Sequence, residues 1–343
     1  MAENVSVFDS KVFNPQAFGR YIESLPKDRE NALIKANIFR TDANIRNAFA
    51  NQSTTAYGVF PMYGNFAGEA QNYDGTTDLT GSKLDTYYYG VHSYGRAIVG
   101  TELDYTKDLI AGIDPLTQIA NKFADRWDDV NEDTLLNIIT GIYASTTTGG
   151  AEFAEAHTTT LSTALTGTTI YDATQAACGD KNKNFSLVIM NSYNATILAK
   201  EQLLEYAKYT DPNGLQTNTN IAQWGNKIVL VDDEYTYDST AGTYTTYVLG
   251  AGAFIREAMP VAQPFELYRK GLDLGGTTYL ISRERYILHP YGFSFTNSNV
   301  STTSPTDEEF ADGANWDLMK NSDGTAYFNH KFIPIARIIS TAE

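Results

Sequence analysis

The longest amphipathic pattern in the chain runs from Asp114 to Ala144 and predicts a single long α-helix. Its apolar positions recur every three or four residues and are Leu116, Ile119, Ala120, Phe123, Trp127, Val130, Leu135, Ile138, Ile139 and Ile142. The opposite side carries charged side chains that prefer water, namely Lys122, Asp125, Arg126, Asp128, Asp129, Glu132 and Asp133. Asp114 can cap the helix, and Pro115 suits its first position because proline has no N–H to leave unpaired. We call this predicted element, roughly 45 Å long at about 1.5 Å per residue, the spine helix.

The residues before the spine helix read as an arm. Residues 1–50 contain two short amphipathic segments, Asn14–Leu25 and Arg29–Phe39, with Pro26 between them. Neither segment has an apolar partner nearby in the sequence. We therefore expect each to dock elsewhere, on this chain or on another copy.

A predicted β-ribbon separates this arm from the spine helix. Asn51–Phe60 and Leu84–Val99 read as two long strands, and Asp74-Gly75 is the strongest turn signal in the tip between them. A two-stranded ribbon is only marginally stable in isolation. We expect it either to lie on a neighbouring subunit or to fold back on its own domain.

After the spine helix, Gly149–Gly167 has few bulky apolar residues and reads as a surface excursion. Residues 184–290 then read as a compact α/β domain. Its predicted strands are Phe185–Met190, Lys227–Val231, Tyr247–Leu249, Phe265–Arg269 and Thr277–Tyr286. Phe185–Met190 is continuously apolar, the pattern of a strand buried on both faces. A short helix is predicted at Tyr171–Gly179, a longer one at Tyr193–Tyr209, and a hairpin turn at Ala241-Gly242.

The chain becomes polar after His289–Phe295. Asp307–Asp312 predicts a helical turn, and Phe332–Ile339 predicts a final apolar strand. Pro334 within that strand indicates a sheet edge or a bulge, because proline donates no ladder hydrogen bond.

The charge balance and the cysteine content limit the classes of function that the chain can have. The 343 residues carry 25 Lys and Arg against 41 Asp and Glu, a formal net charge of −16. A nucleic-acid reader needs a basic face to neutralise phosphates, so this balance argues against one, and against binding to an anionic membrane. The single cysteine, Cys178, excludes an intrachain disulfide and a multi-cysteine metal site. No signal peptide or membrane span is predicted, which suggests a cytoplasm-like compartment or release by lysis.

The sequence offers no catalytic or metal-binding constellation. The four histidines, His92, His157, His289 and His330, are widely spaced and form no ligand-spaced pair. Asp232-Asp233-Glu234 follows a predicted buried strand and is either a functional carboxylate site or a solvated loop. Gly271–Gly276 lacks the residues of a phosphate-binding loop. We therefore predict no catalytic, cofactor-binding or metal-binding residues and no cofactor, and a structural role.

The order of the elements resembles the major capsid proteins of tailed bacteriophages, which have the HK97-like fold. Five segments are similar to segments of that family, and they are Leu109–Ala144, Phe185–Tyr206, Trp224–Asp233, His289–Phe293 and Ser304–Trp316. Together the resemblance spans about Pro15 to Ile339, and the major capsid protein 13-like group is the most similar. No single motif is diagnostic; their order and spacing carry the resemblance.

The resemblance implies an α+β fold with five parts. These are an N-terminal arm at 1–50, an extended β-ribbon loop at 51–102, a peripheral domain with the spine helix at 103–165, an axial α/β domain at 166–289, and a return to the peripheral domain at 290–343. The implied function is a non-enzymatic shell protein that self-assembles into pentamers and hexamers of an icosahedral capsid around double-stranded viral DNA. Separate scaffolding, portal and decoration proteins are implied partners, without membrane contact. The protein would be assembled in the host cytoplasm and end in the virion.

Two further readings of the sequence remain open. An encapsulin-like compartment would share the fold and enclose a cargo protein. An acidic β-rich enzyme or carbohydrate-binding module would use its tyrosines and tryptophans to line a glycan cleft.

Overall fold

The structure is a computed structural model that describes residues 28–51, 56–64, 69–81, 84–104, 115–181, 185–210, 216–296 and 298–342. The predicted helical segment Asn14–Leu25 and the predicted cap Asp114 lie outside these residues. The α-helices are α1 (Asp28–Lys35), α2 (Ala43–Asn51), α3 (Pro115–Tyr143), α4 (Thr148–Ala156), α5 (Thr169–Cys178), α6 (Ser192–Lys200) and α7 (Asp307–Ala311). The strands of the first half are β1 (Phe39–Arg40), β2 (Tyr57–Tyr63), β3 (Thr86–Leu103), β4 (Thr158–Thr160), β5 (Phe185–Met190), β6 (Glu205–Thr210), β7 (Gln216–Trp224) and β8 (Lys227–Val231). The remaining strands are β9 (Tyr237–Asp238), β10 (Thr243–Gly250), β11 (Phe254–Ala258), β12 (Phe265–Lys270), β13 (Thr277–Pro290), β14 (Phe293–Phe295), β15 (Trp316–Leu318), β16 (Lys320–Asn321) and β17 (Ile335–Thr341).

A seven-stranded sheet is built on the long strand β3. Its order is β1-β11-β13-β3-β16, with β12 paired to β13 and β2 paired to β3. One end of β3 pairs antiparallel with β2, from Thr86↔Tyr63 to His92↔Tyr57. This pair corresponds to the predicted ribbon, but its first strand begins at Tyr57 and not at Asn51, which is the last residue of α2. The other end pairs antiparallel with β13, from Ser93↔Ile287 to Leu103↔Thr277. The ribbon and the body of the sheet therefore share one continuous strand.

An eight-stranded sheet has the order β4-β17-β10-β5-β8-β7-β6, with β9 paired to β10. Strand β5 lies inside this sheet, and its side chains alternate between two cores. Leu187 and Ile189 belong to the core shared with the spine helix, whereas Val188 and Met190 pack with α5 and α6. The prediction that this strand is buried on both faces is confirmed.

The spine helix is α3, and it ends at Tyr143 as the sequence pattern predicts. Phe123, Trp127 and the isoleucines and leucines from Leu135 onward are buried. Trp127 lies against β13, where its indole Nε1 donates a hydrogen bond of 2.9 Å to Ser282 Oγ. The helix also contacts α1, α4 and α7.

The predicted solvent side of the spine helix needs a correction. Asp128 and Glu132 are buried, although both were expected to face water. The reason is that neighbouring elements cover α3 on more than one side, so the covered surface is wider than a single apolar stripe. Lys122, Asp125 and Arg126 are exposed as expected.

Three local predictions were wrong in part. The helix expected over Tyr193–Tyr209 ends at Lys200, because Gln202 adopts a positive φ of 57° and the chain then forms strand β6. The final strand starts after Pro334, at Ile335, and lies between β10 and β4 rather than at an edge. Part of the predicted surface excursion is helix α4, whose Phe153 is fully buried and whose start is capped by Thr147.

Sheet membership cuts across the predicted five-part division. Strands β11 and β12, and β13 except for its last residue Pro290, fall within the predicted axial segment 166–289, yet they pair in the sheet that contains β3. Strand β17 falls within the predicted peripheral return 290–343, yet it pairs with β10. Strand pairing shows which strands share a sheet. It does not test the domain boundaries, which stay a prediction.

Candidate functional site

The ribbon of β2 and β3 presents an apolar outer face. Val59 and Tyr63 on β2 and Tyr88 on β3 are exposed, and Tyr63 retains 71% of its accessible surface. We call these three residues the ribbon face. Large apolar side chains left in water on one side of a two-stranded ribbon are typical of a surface that another molecule covers.

The tip of the ribbon is held by local hydrogen bonds. The Asp74 carboxylate accepts bonds from the backbone N–H groups of Thr76 and Thr77, at 2.9 and 2.8 Å, and these bonds hold its pKa well below the usual range. The side-chain amide of Gln71 donates to the carbonyl of Thr80 at 2.6 Å and accepts from its N–H at 2.7 Å. The tip thus has a defined shape although its residues are exposed.

The root of the ribbon is fixed by close packing. The N–H of Gly90 donates to Ser294 Oγ at 2.9 Å, and a Cβ at this glycine would overlap the Tyr57 hydroxyl and the Phe295 carbonyl oxygen. His92 is buried beside Tyr57 and Phe295. The ribbon is therefore anchored firmly where it leaves the body of the protein.

An ion pair joins β3 to the C-terminal part of the chain. Arg96 Nη2 lies 2.7 Å from Asp307 Oδ1, and Arg96 Nη1 donates to the Pro305 carbonyl at 2.9 Å. Thr134 Oγ1 of the spine helix lies 3.3 Å from the same Asp307 oxygen and donates its shorter bond, of 2.9 Å, to the Val130 carbonyl. This carboxylate thus connects three elements that are distant in the sequence.

The acidic segment Asp232-Asp233-Glu234 makes local contacts. Asp232 Oδ1 accepts from the N–H of Tyr235 at 3.0 Å, and Asp233 Oδ1 accepts from the N–H of Ser192 at 2.8 Å, where α6 begins. Asp233 and Glu234 are exposed. The solvated-loop reading therefore fits Asp233 and Glu234 but not Asp232, which is buried. Two of the three carboxylates hold backbone N–H groups.

Asp133 of the spine helix lies near this segment and has a perturbed pKa. Burial and the charge of Glu234 raise the pKa of Asp133 to about 6. Arg126, 3.9 Å away, acts in the opposite direction and does not outweigh them. Across the residues that the structure describes, no group of three or more His, Cys, Asp or Glu side chains is arranged to hold a metal ion.

Three of the four histidines are buried, and two of the four are brought together. His157 Nδ1 donates to the Ile335 carbonyl at 2.6 Å, so its Nε2 accepts from His330 Nδ1 at 3.0 Å. Burial lowers the pKa of His157 and of His289 to about 4. The long sequence separation of His157 and His330 gave no signal of this pair.

Two further candidate sites from the sequence, a glycine-rich segment and the cysteine, have structural roles. Gly271–Gly276 forms the turn between β12 and β13 and does not join a strand to a helix. Cys178 is buried, and burial raises the pKa of its thiol to about 11, which leaves little of the reactive thiolate near neutral pH. The most conspicuous features of the described surface are thus apolar faces rather than clusters of reactive groups.

Comparison with known proteins agrees with this picture. A family model described as "major capsid protein 13-like" matches residues 117–326, which is more than half of the chain. The chain belongs to this family of major capsid proteins. The major capsid protein of Bacillus phage SPP1 is 26% identical over 317 residues, covering 90% of this chain and 92% of that protein.

Solved phage capsids share the fold of this capsid protein. The capsid asymmetric unit of cyanophage Pam1 matches with a TM-score of 0.53 at 10% identity and covers 89% of each chain. The capsid of Ralstonia phage GP4 also gives 0.53, at 9% identity, covering 89% of this chain and 87% of that chain. The expectation of an α+β, HK97-like capsid fold is confirmed, as is that of a bacteriophage major capsid protein that forms the capsid shell and is a virion component.

Proposed function

We propose that many copies of this capsid protein form pentamers and hexamers of an icosahedral shell that encloses double-stranded viral DNA. The ribbon face carries the proposal, because Val59, Tyr63 and Tyr88 are exposed on one side of a ribbon whose other side packs on the core of its own chain. Covering such a surface with another copy removes apolar area from water and favours association. Contacts between unlike surfaces of identical copies close into rings when the rotation between copies fits.

We further propose the five-part division at 1–50, 51–102, 103–165, 166–289 and 290–343, with the axial part nearest the centres of the pentamers and hexamers. The close packing at Gly90 supports a ribbon that is held in one orientation relative to the rest of the chain. The contact between α3 and α7 supports a peripheral part built from both 103–165 and 290–343.

The net charge of the chain supports the proposal that the shell encloses DNA. A formal net charge of −16 suits a shell that encloses DNA without binding it tightly, since counterions then neutralise the phosphates. Separate scaffolding, portal and decoration proteins would assist assembly in the host cytoplasm.

None of the described helices is long and apolar enough to cross a membrane. The proposal assigns this protein no catalytic step and no cofactor.

Expression of the full chain, with and without candidate scaffolding proteins, tests this function. Negative-stain electron microscopy is expected to show rings of five and six copies or closed shells. A chain that remains monomeric in all these conditions would refute the proposal. Nuclease-protected DNA inside particles from infected cells is expected, whereas protein cargo alone would indicate an encapsulin-like compartment.

A further inference from the structure

Two histidines from distant parts of the chain bring their ring nitrogens together just before strand β17. His157 Nε2 and His330 Nδ1 lie 3.0 Å apart, although the residues are 173 positions apart in the sequence. The two rings are nearly perpendicular, with an interplanar angle of 77°. Two ring nitrogens cannot point their lone pairs at each other at this distance without repulsion. The contact therefore needs either a shared proton or a metal ion between the two nitrogens.

The His157 ring is held in one orientation. Its Nδ1 donates a hydrogen bond of 2.6 Å to the Ile335 carbonyl, and the ring stacks on Phe153 with the centroids 4.2 Å apart. This bond uses the proton on Nδ1 and leaves the lone pair of Nε2 on the side of His330. Histidines that bind metal ions commonly have such a second partner, because a hydrogen bond from one ring nitrogen to a carbonyl fixes the direction of the other.

The His330 ring is the more accessible of the two. His330 is half-buried and begins the one-turn 3₁₀ helix His330–Phe332, whereas His157 is buried at the C-terminal end of α4. Burial lowers the pKa of His330, Lys331 acts in the same direction, and the charge of Glu152 acts in the opposite one. Both rings are therefore neutral near pH 7, which is the form in which imidazole binds metal ions.

The separation of the two nitrogens fits a bound metal ion. Two Zn–N bonds of about 2.0–2.1 Å that meet at about 90–109° hold their nitrogens about 2.9–3.4 Å apart. The observed 3.0 Å lies within this range. For His330 to bind through Nδ1, the proton on Nδ1 has to move to Nε2 of the same ring, and this ring is exposed enough to exchange it with water. No other side chain has to lose a proton.

The two imidazoles also select the kind of ion. Imidazole nitrogen suits Zn²⁺, Ni²⁺ and Cu²⁺, whereas Mg²⁺ and Ca²⁺ prefer oxygen ligands. Among the residues that the structure describes, no third His, Cys, Asp or Glu side chain completes a ligand set, so water would occupy the remaining positions. Glu152 on α4 is exposed and its negative charge acts on His330, which favours a cation there.

We propose that His157 Nε2 and His330 Nδ1 bind one divalent transition-metal ion of the zinc class in place of the proton between them. The ion would join the C-terminal end of α4 to the residues that lead into β17, and binding to the folded chain would stabilise it by mass action. The inference goes beyond the proposed function and does not depend on assembly, because both ligands belong to one chain.

Zinc binding to the full-length chain without a polyhistidine tag tests the site. In metal-free buffer at pH 7.5, calorimetric titration should show one equivalent of Zn²⁺ bound. Zn²⁺ should also raise the midpoint of thermal unfolding, and EDTA should reverse the rise. Mg²⁺ and Ca²⁺ should leave the midpoint unchanged. If Zn²⁺ shows no saturable binding and no effect on the midpoint, the inference is overturned.

Two substitutions at His330 separate metal binding from hydrogen bonding. The amide nitrogen of His330→Asn lies as many bonds from Cα as Nδ1 does, so it can still donate to His157 but does not bind the ion. We expect this variant to unfold at the wild-type midpoint without metal and to lose at least tenfold in affinity for Zn²⁺. His330→Asp places a carboxylate oxygen at the same position and should keep a rise of the midpoint with Zn²⁺. Equal affinity for Zn²⁺ in the wild type and in His330→Asn would refute the site.

Lys331→Gln is the matched control on the same 3₁₀ helix. Lys331 is exposed, and its positive charge opposes a cation at His330. Its removal should leave the affinity for Zn²⁺ equal or higher. His92 and His289 are unchanged in every variant and are buried beside backbone carbonyls, so a loss confined to His330→Asn assigns the ion to this pair. If Lys331→Gln loses as much affinity as His330→Asn, the loss reflects a disturbed turn and the inference is overturned.

Discussion

Replacing Trp127 by alanine tests the role of the spine helix. Trp127 is 1% exposed and fills the space between α3 and β13, so truncation leaves a large cavity. Buried Trp-to-Ala changes cost about 3–5 kcal/mol. The hydroxyl of Ser282, itself fully buried, loses its donor, which adds roughly 1 kcal/mol or more. Since domains are stable by only about 5–15 kcal/mol, this single change removes a large share of the total.

Equilibrium denaturation of unassembled protein measures the effect. Trp127→Ala should lower the midpoint of unfolding strongly, and shell yield should fall with it. Trp127→Phe keeps a large ring and loses the indole N–H, so it should cost about 1–2 kcal/mol through the unpaired Ser282 hydroxyl and a smaller cavity.

Asp129→Asn is the matched control on the same helix. Asp129 is about two-fifths exposed and lies 3.8 Å from Arg126, a surface pair whose loss costs less than about 1 kcal/mol. Its unfolding midpoint and shell yield should therefore stay close to those of the wild type. If Trp127→Ala unfolds at the same denaturant concentration as Asp129→Asn, the assignment of α3 as the central packing element is wrong.

Three further predictions concern packing and pH. Gly141→Ala should lower stability by several kcal/mol in a denaturation assay, because its Cβ would overlap the Phe310 carbonyl. His157 and His289 have pKa values lowered to about 4, so their contribution to stability is complete above about pH 6.5 and is lost as the pH falls toward 4, by up to about 3 kcal/mol each; a midpoint independent of pH over this window would contradict it. The raised pKa of Asp133 costs stability as the pH rises from its ordinary value of 3.8 to about 6, so Asp133→Asn should stabilise the protein most above pH 6 and lose this advantage as the pH falls below 3.8, measured by thermal unfolding.

The elements with strong local patterns were predictable from the sequence. The spine helix has an apolar repeat sustained over its whole length, and its end at Tyr143 agrees with the pattern. Strand β5 is continuously apolar and is buried on both faces. The helical turn after Thr306 carries a capping box with Glu309, a signal that depends only on residues three apart.

The features that sequence patterns missed depend on contacts between distant residues. Asp128 and Glu132 read as solvent-facing because periodicity reports one stripe and not how many neighbours enclose the helix. The segment that forms strand β6 was predicted to be helical, because no local pattern indicated that Gln202 takes a positive φ and that the chain then forms a strand. The pairing of β3 with β13 joins residues that lie far apart in sequence, so no local pattern indicates it.

Strand β3 therefore has a role equal to that of the spine helix. From Tyr89 to Tyr94 both sides of β3 are buried, whereas beyond Gly95 Val99 and Leu103 face solvent on one side and Glu102 is buried on the other. The change occurs around Tyr94 and Gly95, next to Arg96, whose pairing with Asp307 fixes the strand to the C-terminal part of the chain. Because side chains alternate with a period of two, this one strand sets which side chains face the core and which face solvent in both parts of the sheet. The spine helix supplies the core that keeps β3 in place, and β3 joins the ribbon to the rest of the seven-stranded sheet.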